Sequence, residues 1–349
     1  MIRVVVVDDS ALVRKLIVTA LSEADDIEVV GTARDGLDAV DKVAELRPDV
    51  VTLDIEMPNL DGLGALTRMR EINPRLPVIM FSTLTERGAA ATLEALSRGA
   101  SDYVTKPSNT GSVRQGLESV RDQLIPRIRA LVGMRQLAPV QRPKPPVPVA
   151  RPASAIATGA VRALLIGCST GGPDALARLL PELPADLGVP VLVVQHMPPV
   201  FTTMLAQRLD KLAKLSVREA VDGDVPQAGE VLIAPGDWHL RLRTSAGRPV
   251  VALDQGPQEN FCRPAVDALF RSAAEVYGGH AVAAVLTGMG QDGLIGVQLL
   301  HEKGVRVLVQ DEESSVVWGM PGAVAHAGLA DEILPLPTLA QHLVRAVRR

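Results

Sequence analysis

Aromatic residues make up only 2% of the 349 residues, and there are just two cysteines. Scarce aromatics leave the core to Val, Leu, Ile and Ala. Two cysteines, Cys168 and Cys262, exclude a disulfide framework and fit a reducing compartment. No apolar run approaches the roughly 20 residues of a membrane span. A net charge of −4 excludes the global basic field that nucleic acid or an acidic membrane would draw. The opening "MIRVVVVDDS" meets two aspartates after one short apolar strand, unlike a secretory signal. The expectation is a cytoplasmic, monomeric protein with no nucleic-acid partner and no membrane insertion.

With 47% apolar and 22% charged residues, the composition is that of a globular protein, and the length suggests two domains. Residues 123–173 contain no Asp or Glu yet carry seven basic residues. The centre of that stretch, "LAPVQRPKPPVPVARPASAIATGA", is too rich in proline to hold a regular element. The expected division is a first domain over 1–121, a basic Pro-rich linker over 122–158, and a second domain over 159–349.

In the first domain "IRVVVVD", "IEVVGT", "PDVVTLD", "LPVIMFS" and "SDYVTK" are short apolar runs separated by helical stretches. Continuous rather than alternating apolar strands suit a parallel sheet covered on both faces, a doubly wound α/β domain. "VRALLIG", "VPVLVVQH", "AVAAVLTG" and "VRVLVQD" give the second domain the same character. A stretch from about 216 to 254 reads instead as a small hairpin insertion.

Doubly wound sheets gather ligands at the carboxyl ends of their strands. There the first domain places Asp8 and Asp9 after strand one, Asp54 after strand three, Ser82 after strand four and Lys106 after strand five. Clustered carboxylates repel unless a hard cation neutralises them, and Mg²⁺ is the natural occupant. One carboxylate can then accept a phosphoryl group whose oxygens meet the lysine and the hydroxyl. Singly, each aspartate is also an ordinary helix cap; together they are harder to explain that way.

In the second domain "IGCSTGG" sets Cys168 beside Ser169 in a G-x-S-x-G turn between a strand and a helix. A serine nucleophile needs a base and a group to orient it. His196 ends a strand; His239, in the hairpin region, is the second candidate. Asp292 in "LTGMGQDG" follows another strand end. Each has a plainer reading as a cap or a satisfied polar residue. The rival function is a phosphorylation-controlled binding module holding a ligand in the crevice. No G-x-G-x-x-G follows the strand and no P-loop lysine is present, which counts against a nucleotide.

"VVDDS", "LDIEMPNLDG", "MFST" and "SDYVTKP" resemble the motifs of response-regulator receiver domains, which have a flavodoxin-like fold. That resemblance implies phosphorylation at Asp54. It implies Mg²⁺ held by Asp8, Asp9, Asp54 and the backbone carbonyl of Glu56, with Ser82, Tyr103 and Lys106 as switch residues. "GCSTGGPDAL", "VVQHMPPVFT", "IAPGDWH", "LTGMGQDG" and "QDEESSVVWGMPGA" resemble the catalytic domain of the chemotaxis protein-glutamate methylesterases, CheB. That implies a Rossmann-like, mostly parallel esterase domain with Ser169, His196 and Asp292 as its triad. Backbone amides of Thr170 and Met289 would form the oxyanion hole, and the esterase chemistry would need no cofactor. Cys168 stands where the family commonly has alanine, so it is expected buried and inert. The implied activity is demethylation of glutamyl methyl esters on chemoreceptors, with deamidation of receptor glutamines. The receiver would restrain the site until a chemotaxis histidine kinase supplies phosphate to Asp54.

Overall fold

The computed structural model describes residues 1–107, 113–136 and 159–348. The chain divides into two compact units, Met1–Val140 and Gln141–Arg349.

The first unit alternates β1 (Ile2–Val7), α1 (Ala11–Leu21), β2 (Ile27–Ala33), α2 (Gly36–Leu46), β3 (Val50–Asp54), α3 (Gly62–Ile72), β4 (Val78–Ser82), α4 (Glu86–Ser97), β5 (Asp102–Thr105) and α5 (Val113–Gln136). Its strands form one parallel sheet in the order β2-β1-β3-β4-β5. Val4 to Val7 are wholly buried, as a strand covered on both faces requires. Ser10, Asp35, Asp61 and Thr85 cap α1, α2, α3 and α4 by accepting amide hydrogens from the first turn of each helix. The strand order reverses at β1 and β3, opening a crevice at their carboxyl ends.

The linker expected over 122–158 starts later than its composition suggests. Residues 122–136 continue α5, burying Leu124, Ile125, Ile128, Leu131 and Val132 at helical spacing. The acid-free run reads as a spacer because its partners lie elsewhere in the chain: Arg127 pairs with Asp102 at 3.1 Å and Arg129 with Asp26 at 2.6 Å. Residues 137–158 lie outside the described residues.

The second unit comprises β6 (Ala163–Cys168), α6 (Gly172–Leu179), β7 (Val191–Gln195), α7 (Phe201–Leu212), β8 (Ser216–Glu219), β9 (Glu230–Ile233), β10 (His239–Ser245), β11 (Arg248–Asp254), α8 (Val266–Val276), β12 (Ala281–Val285), α9 (Leu294–Glu302), β13 (Arg306–Gln310), α10 (Met320–His326), β14 (Glu332–Leu334) and α11 (Leu336–Val347). Seven parallel strands run in the order β14-β13-β12-β6-β7-β9-β8. Only β10 and β11 form the expected hairpin. The other half of the 216–254 stretch, β8 and β9, belongs to the main sheet; at four residues each, those strands are too short to show a continuous apolar run. The hairpin packs Leu240, Leu242 and Val251 into one core with Leu269, Phe270 and Ala273 of α8. That packing fixes the start of α8 over the carboxyl edge of the sheet.

Candidate active site and phosphoacceptor cluster

At the crevice of the first unit, Asp8 and Asp54 are buried while Asp9 is exposed. Oxygens of the three carboxylates lie within 4.8 Å of one another. Lys106 Nζ sits 2.9 Å from Asp8 Oδ2 and 2.8 Å from Asp54 Oδ2. One ammonium thus faces three carboxylates. Apart from Lys106, neither of those buried oxygens has a hydrogen-bond partner among the described residues, so each keeps a lone pair for a further electropositive ligand. Burial pushes Asp54 up to about 6, with the Asp8 charge adding to it and Lys106 opposing. Burial raises Asp8 as well. A surplus of hard, partly buried oxygen donors fits a divalent cation. A cavity of about 230 Å³ lined by Asp9, Asp54, Ser82, Thr83 and Lys106 adjoins the cluster. Glu56 lines it too. Ser82 Oγ donates to the Gly88 carbonyl at 3.1 Å, and Tyr103 is buried, its phenol pushed far up by burial.

The electrostatics give a direct expectation. The folded-state pKa of Asp54 lies above its unfolded value of 3.8, so the ionised carboxylate costs the fold stability above about pH 6. That cost is lost as the pH falls from about 6 toward the unfolded value of 3.8. A divalent cation offsets the same repulsion. Mg²⁺ should therefore raise the melting temperature at pH 7.5, and the rise should shrink below pH 6 as protons compete. Asp54→Asn should melt higher than wild type without Mg²⁺ and respond less to it. Thermal melts across a pH series check this; a Mg²⁺ effect independent of pH would contradict it.

In the second unit, Ser169 follows the last residue of β6 and is half-buried. Gly171 takes φ +78°, and the Gly172 amide donates back to the Ser169 carbonyl at 2.7 Å, turning the chain sharply into α6. A Cβ on Gly288 would lie 2.9 Å from Ser169 Cβ, so that glycine leaves room for the serine. His196 follows β7, its amide donating to the Cys168 carbonyl at 3.2 Å. Asp292 follows the loop after β12. His196 Nε2 and Asp292 Oδ2 are 2.7 Å apart. Three neighbouring strands, β12, β6 and β7, therefore deliver Asp292, Ser169 and His196 to one edge. Among the described residues no hydrogen bond joins Ser169 Oγ to the imidazole.

Asp292 is the most heavily bonded carboxylate of the site. It accepts the amides of Val266 (2.6 Å), Asp267 (3.1 Å) and Gly293 (3.0 Å) and Asn260 Nδ2 (3.0 Å). Two of those amides are the start of α8, where the helix dipole favours an anion. Burial works against its charge, but His196 and the amides prevail and hold its pKa below the ordinary value. The neighbouring Asp267 is pushed up to about 6 by burial and by the Asp292 charge. Burial also disfavours charge on His196. Cys262 and Asp292 outweigh it and push the ring up to about 10.

The structure separates the candidates that the sequence left side by side. Cys168 is fully buried, its Sγ 3.7 Å from the Val194 carbonyl, and burial drives its thiol far up. His239 is also fully buried: its Nδ1 accepts the Ala265 amide at 3.2 Å and its Nε2 donates to the Pro257 carbonyl at 2.9 Å. It holds the loop before α8 and has no nitrogen left for a substrate. The Met289 amide donates to no other described residue; the Thr170 carbonyl accepts from Thr287 Oγ1 at 2.8 Å, fixing that turn.

Sequence reasoning missed Cys262. Its Sγ lies 3.4 Å from His196 Nδ1, on the side of the ring away from Asp292. It also missed Asn260, whose amide bridges Asp267 (3.1 Å) and Asp292 (3.0 Å). Both lie in "ENFCRP", which ends no strand and carries no spacing signal.

The chain resembles known proteins along its whole length. Residues 164–343 match the model of the CheB methylesterase family, and residues 4–118 that of the response regulator receiver domain. A "Protein-glutamate methylesterase/protein-glutamine glutaminase" of Nocardioides sp. is 53% identical over 100% of this chain and 96% of its own length. One from Trichodesmium erythraeum is 49% identical over 99% of each. The crystal structure of the Thermotoga maritima CheB methylesterase catalytic domain superposes with a TM-score of 0.52 at 43% identity, covering 54% of this chain and 99% of its own. No helix among the described residues is long and apolar enough to cross a membrane. The chain belongs to the CheB methylesterase family and carries a response regulator receiver domain before its esterase domain.

Proposed function

We propose that Ser169, His196 and Asp292 hydrolyse glutamyl methyl esters of chemoreceptors, releasing methanol, and deamidate receptor glutamines by the same acyl chemistry. The observation that carries this reading is the 2.7 Å His196–Asp292 contact, with Ser169 at the adjoining strand end. Asp292 holds Nε2, so Nδ1 takes the proton of Ser169 as the hydroxyl attacks the ester carbonyl. The amides of Thr170 and Met289 receive the developing oxyanion. His196 returns the proton to departing methanol, or to ammonia from a glutamine, and water then hydrolyses the acyl-enzyme. Methanol release from methylated receptor tests the reading.

The receiver is proposed as the control element. Phosphorylation of Asp54 by a chemotaxis histidine kinase would relieve restraint on the esterase in the cytoplasm. Asp8, Asp9, Asp54 and the Glu56 carbonyl would hold Mg²⁺, which supplies charge neutralisation for the incoming phosphoryl group. Lys106 contacts that group's oxygens, and Ser82 and Tyr103 relay its presence.

A second reading has one observation in its favour: Cys262 Sγ, not Ser169 Oγ, touches His196 Nδ1. A thiol beside an imidazole is a known way to build a nucleophile. The two readings diverge on Cys262→Ala. With serine as nucleophile, this variant stays active. Loss of hydrolysis in Cys262→Ala, with Ser169→Ala still active, would establish the thiol instead.

A further inference from the structure

Between β11 and α8 the chain makes a tight turn at Glu259–Cys262. The Glu259 amide donates to the Cys262 carbonyl at 3.0 Å, and the Cys262 amide returns to the Glu259 carbonyl at 2.8 Å. The two central residues, Asn260 and Phe261, have φ of +50° and +61°. Such a turn takes asparagine readily at its first central position and favours glycine at the second. Here the second is phenylalanine, one of only four in the chain. The residue is 97% exposed. The turn is firmly held on either side. Glu259 pairs with Arg241 (3.1 Å) and Arg271 (2.7 Å), Asn260 binds Asp292, and Cys262 touches His196.

An aromatic ring in a left-handed conformation, given wholly to solvent, contributes nothing to this fold and carries two costs, backbone strain and exposed apolar surface. Both fall at one residue, beside the His196–Asp292 pair. Only three single bonds separate the ester carbon of a methylated glutamyl residue from its backbone. A polypeptide that delivers that ester to Ser169 therefore runs close over the strand ends where this turn touches His196 and Asp292. We propose that Phe261 is a substrate-contacting specificity residue: its ring packs on apolar residues flanking the methylated glutamyl residue in the substrate protein. The inference rests on the esterase reading above. It predicts discrimination by KM, because the ring meets the surrounding protein rather than the ester itself.

Phe261→Gly in the full chain tests it with two substrates, methylated receptor and p-nitrophenyl acetate, which carries no flanking polypeptide. The variant should melt at or above the wild-type temperature, because glycine suits the turn. Its KM for receptor should rise roughly 10-fold or more, with kcat and the rate on p-nitrophenyl acetate little changed. Phe261→Trp, which keeps an apolar ring, should restore the receptor KM. An unchanged receptor KM in Phe261→Gly overturns the proposal. So does an equal loss on both substrates, which would make the turn a scaffold only. Ser169→Ala is assayed alongside: activity retained there would overturn the esterase mechanism itself, a failure distinct from that of Phe261.

Discussion

Ser169→Ala should lower kcat/KM for methanol release by at least roughly 10⁴-fold, the scale on which removal of a serine nucleophile falls, while leaving the melting temperature within a degree or two of wild type. The second half of the expectation follows from the surroundings of the hydroxyl. Ser169 Oγ makes no hydrogen bond among the described residues, whereas the backbone of Ser169 is held by the Thr287 carbonyl, the Gly172 amide and Gln195 Nε2. Alanine keeps all of those backbone bonds. Asp292→Asn should behave otherwise. That carboxylate accepts three backbone amides and Asn260 Nδ2 besides the imidazole. An asparagine brings an NH₂ group into a ring of donors, so some of them lose their acceptor and His196 loses its charged partner. Activity should fall by a comparable factor, and stability by about 3–5 kcal/mol, as when one partner leaves a buried pair. Methanol release and thermal melts on the two variants check the pair of outcomes. A large stability loss in Ser169→Ala would mean the hydroxyl is structural, and retained hydrolysis would remove it from the mechanism.

The parts of this site legible in the sequence are those that end strands. Asp8, Asp54 and Lys106, like Ser169, His196 and Asp292, follow apolar runs whose continuity announces a parallel sheet. Such a sheet brings strand ends to one edge whatever the loops do. The parts that were not legible come from the loop between β11 and α8. Cys262 and Asn260 reach His196 and Asp292 because Leu240, Leu242 and Val251 of the hairpin pack on α8 and set its first turn over the sheet edge. Nothing in the spacing of "ENFCRP" encodes that docking. The same limit explains the linker: α5 continues through an acid-free stretch because its arginines find Asp26 and Asp102, 103 and 25 residues away. His239 shows the converse. Its chemistry suits a catalytic base, and only its two filled ring nitrogens show that it is a structural residue.

Under the proposed switch, Mg²⁺ with acetyl phosphate as phosphodonor should raise methanol release by the full chain about 5- to 150-fold, the usual span of a coupling between two sites. Asp54→Asn should show no response. The driving force lies in the charge balance at the crevice. Lys106 divides its one charge between Asp8 and Asp54 at nearly equal distances, 2.9 and 2.8 Å. A phosphoryl group on Asp54 adds negative charge and strong acceptor oxygens, drawing Lys106 toward itself and away from Asp8. It also offers Ser82 an acceptor better than the Gly88 carbonyl that its hydroxyl now uses. Moving that hydroxyl breaks its tie to α4, whose first turn contains Gly88. A change at Asp54 thereby reaches a helix surface. If that surface restrains the esterase, residues 155–349 alone should work at the rate of the phosphorylated full chain. Chelating Mg²⁺ should abolish the phosphodonor response of the full chain and leave residues 155–349 unaffected. A catalytic domain no faster than the unphosphorylated full chain would show that the receiver does not restrain it. A phosphodonor response surviving in Asp54→Asn would place the phosphoacceptor elsewhere.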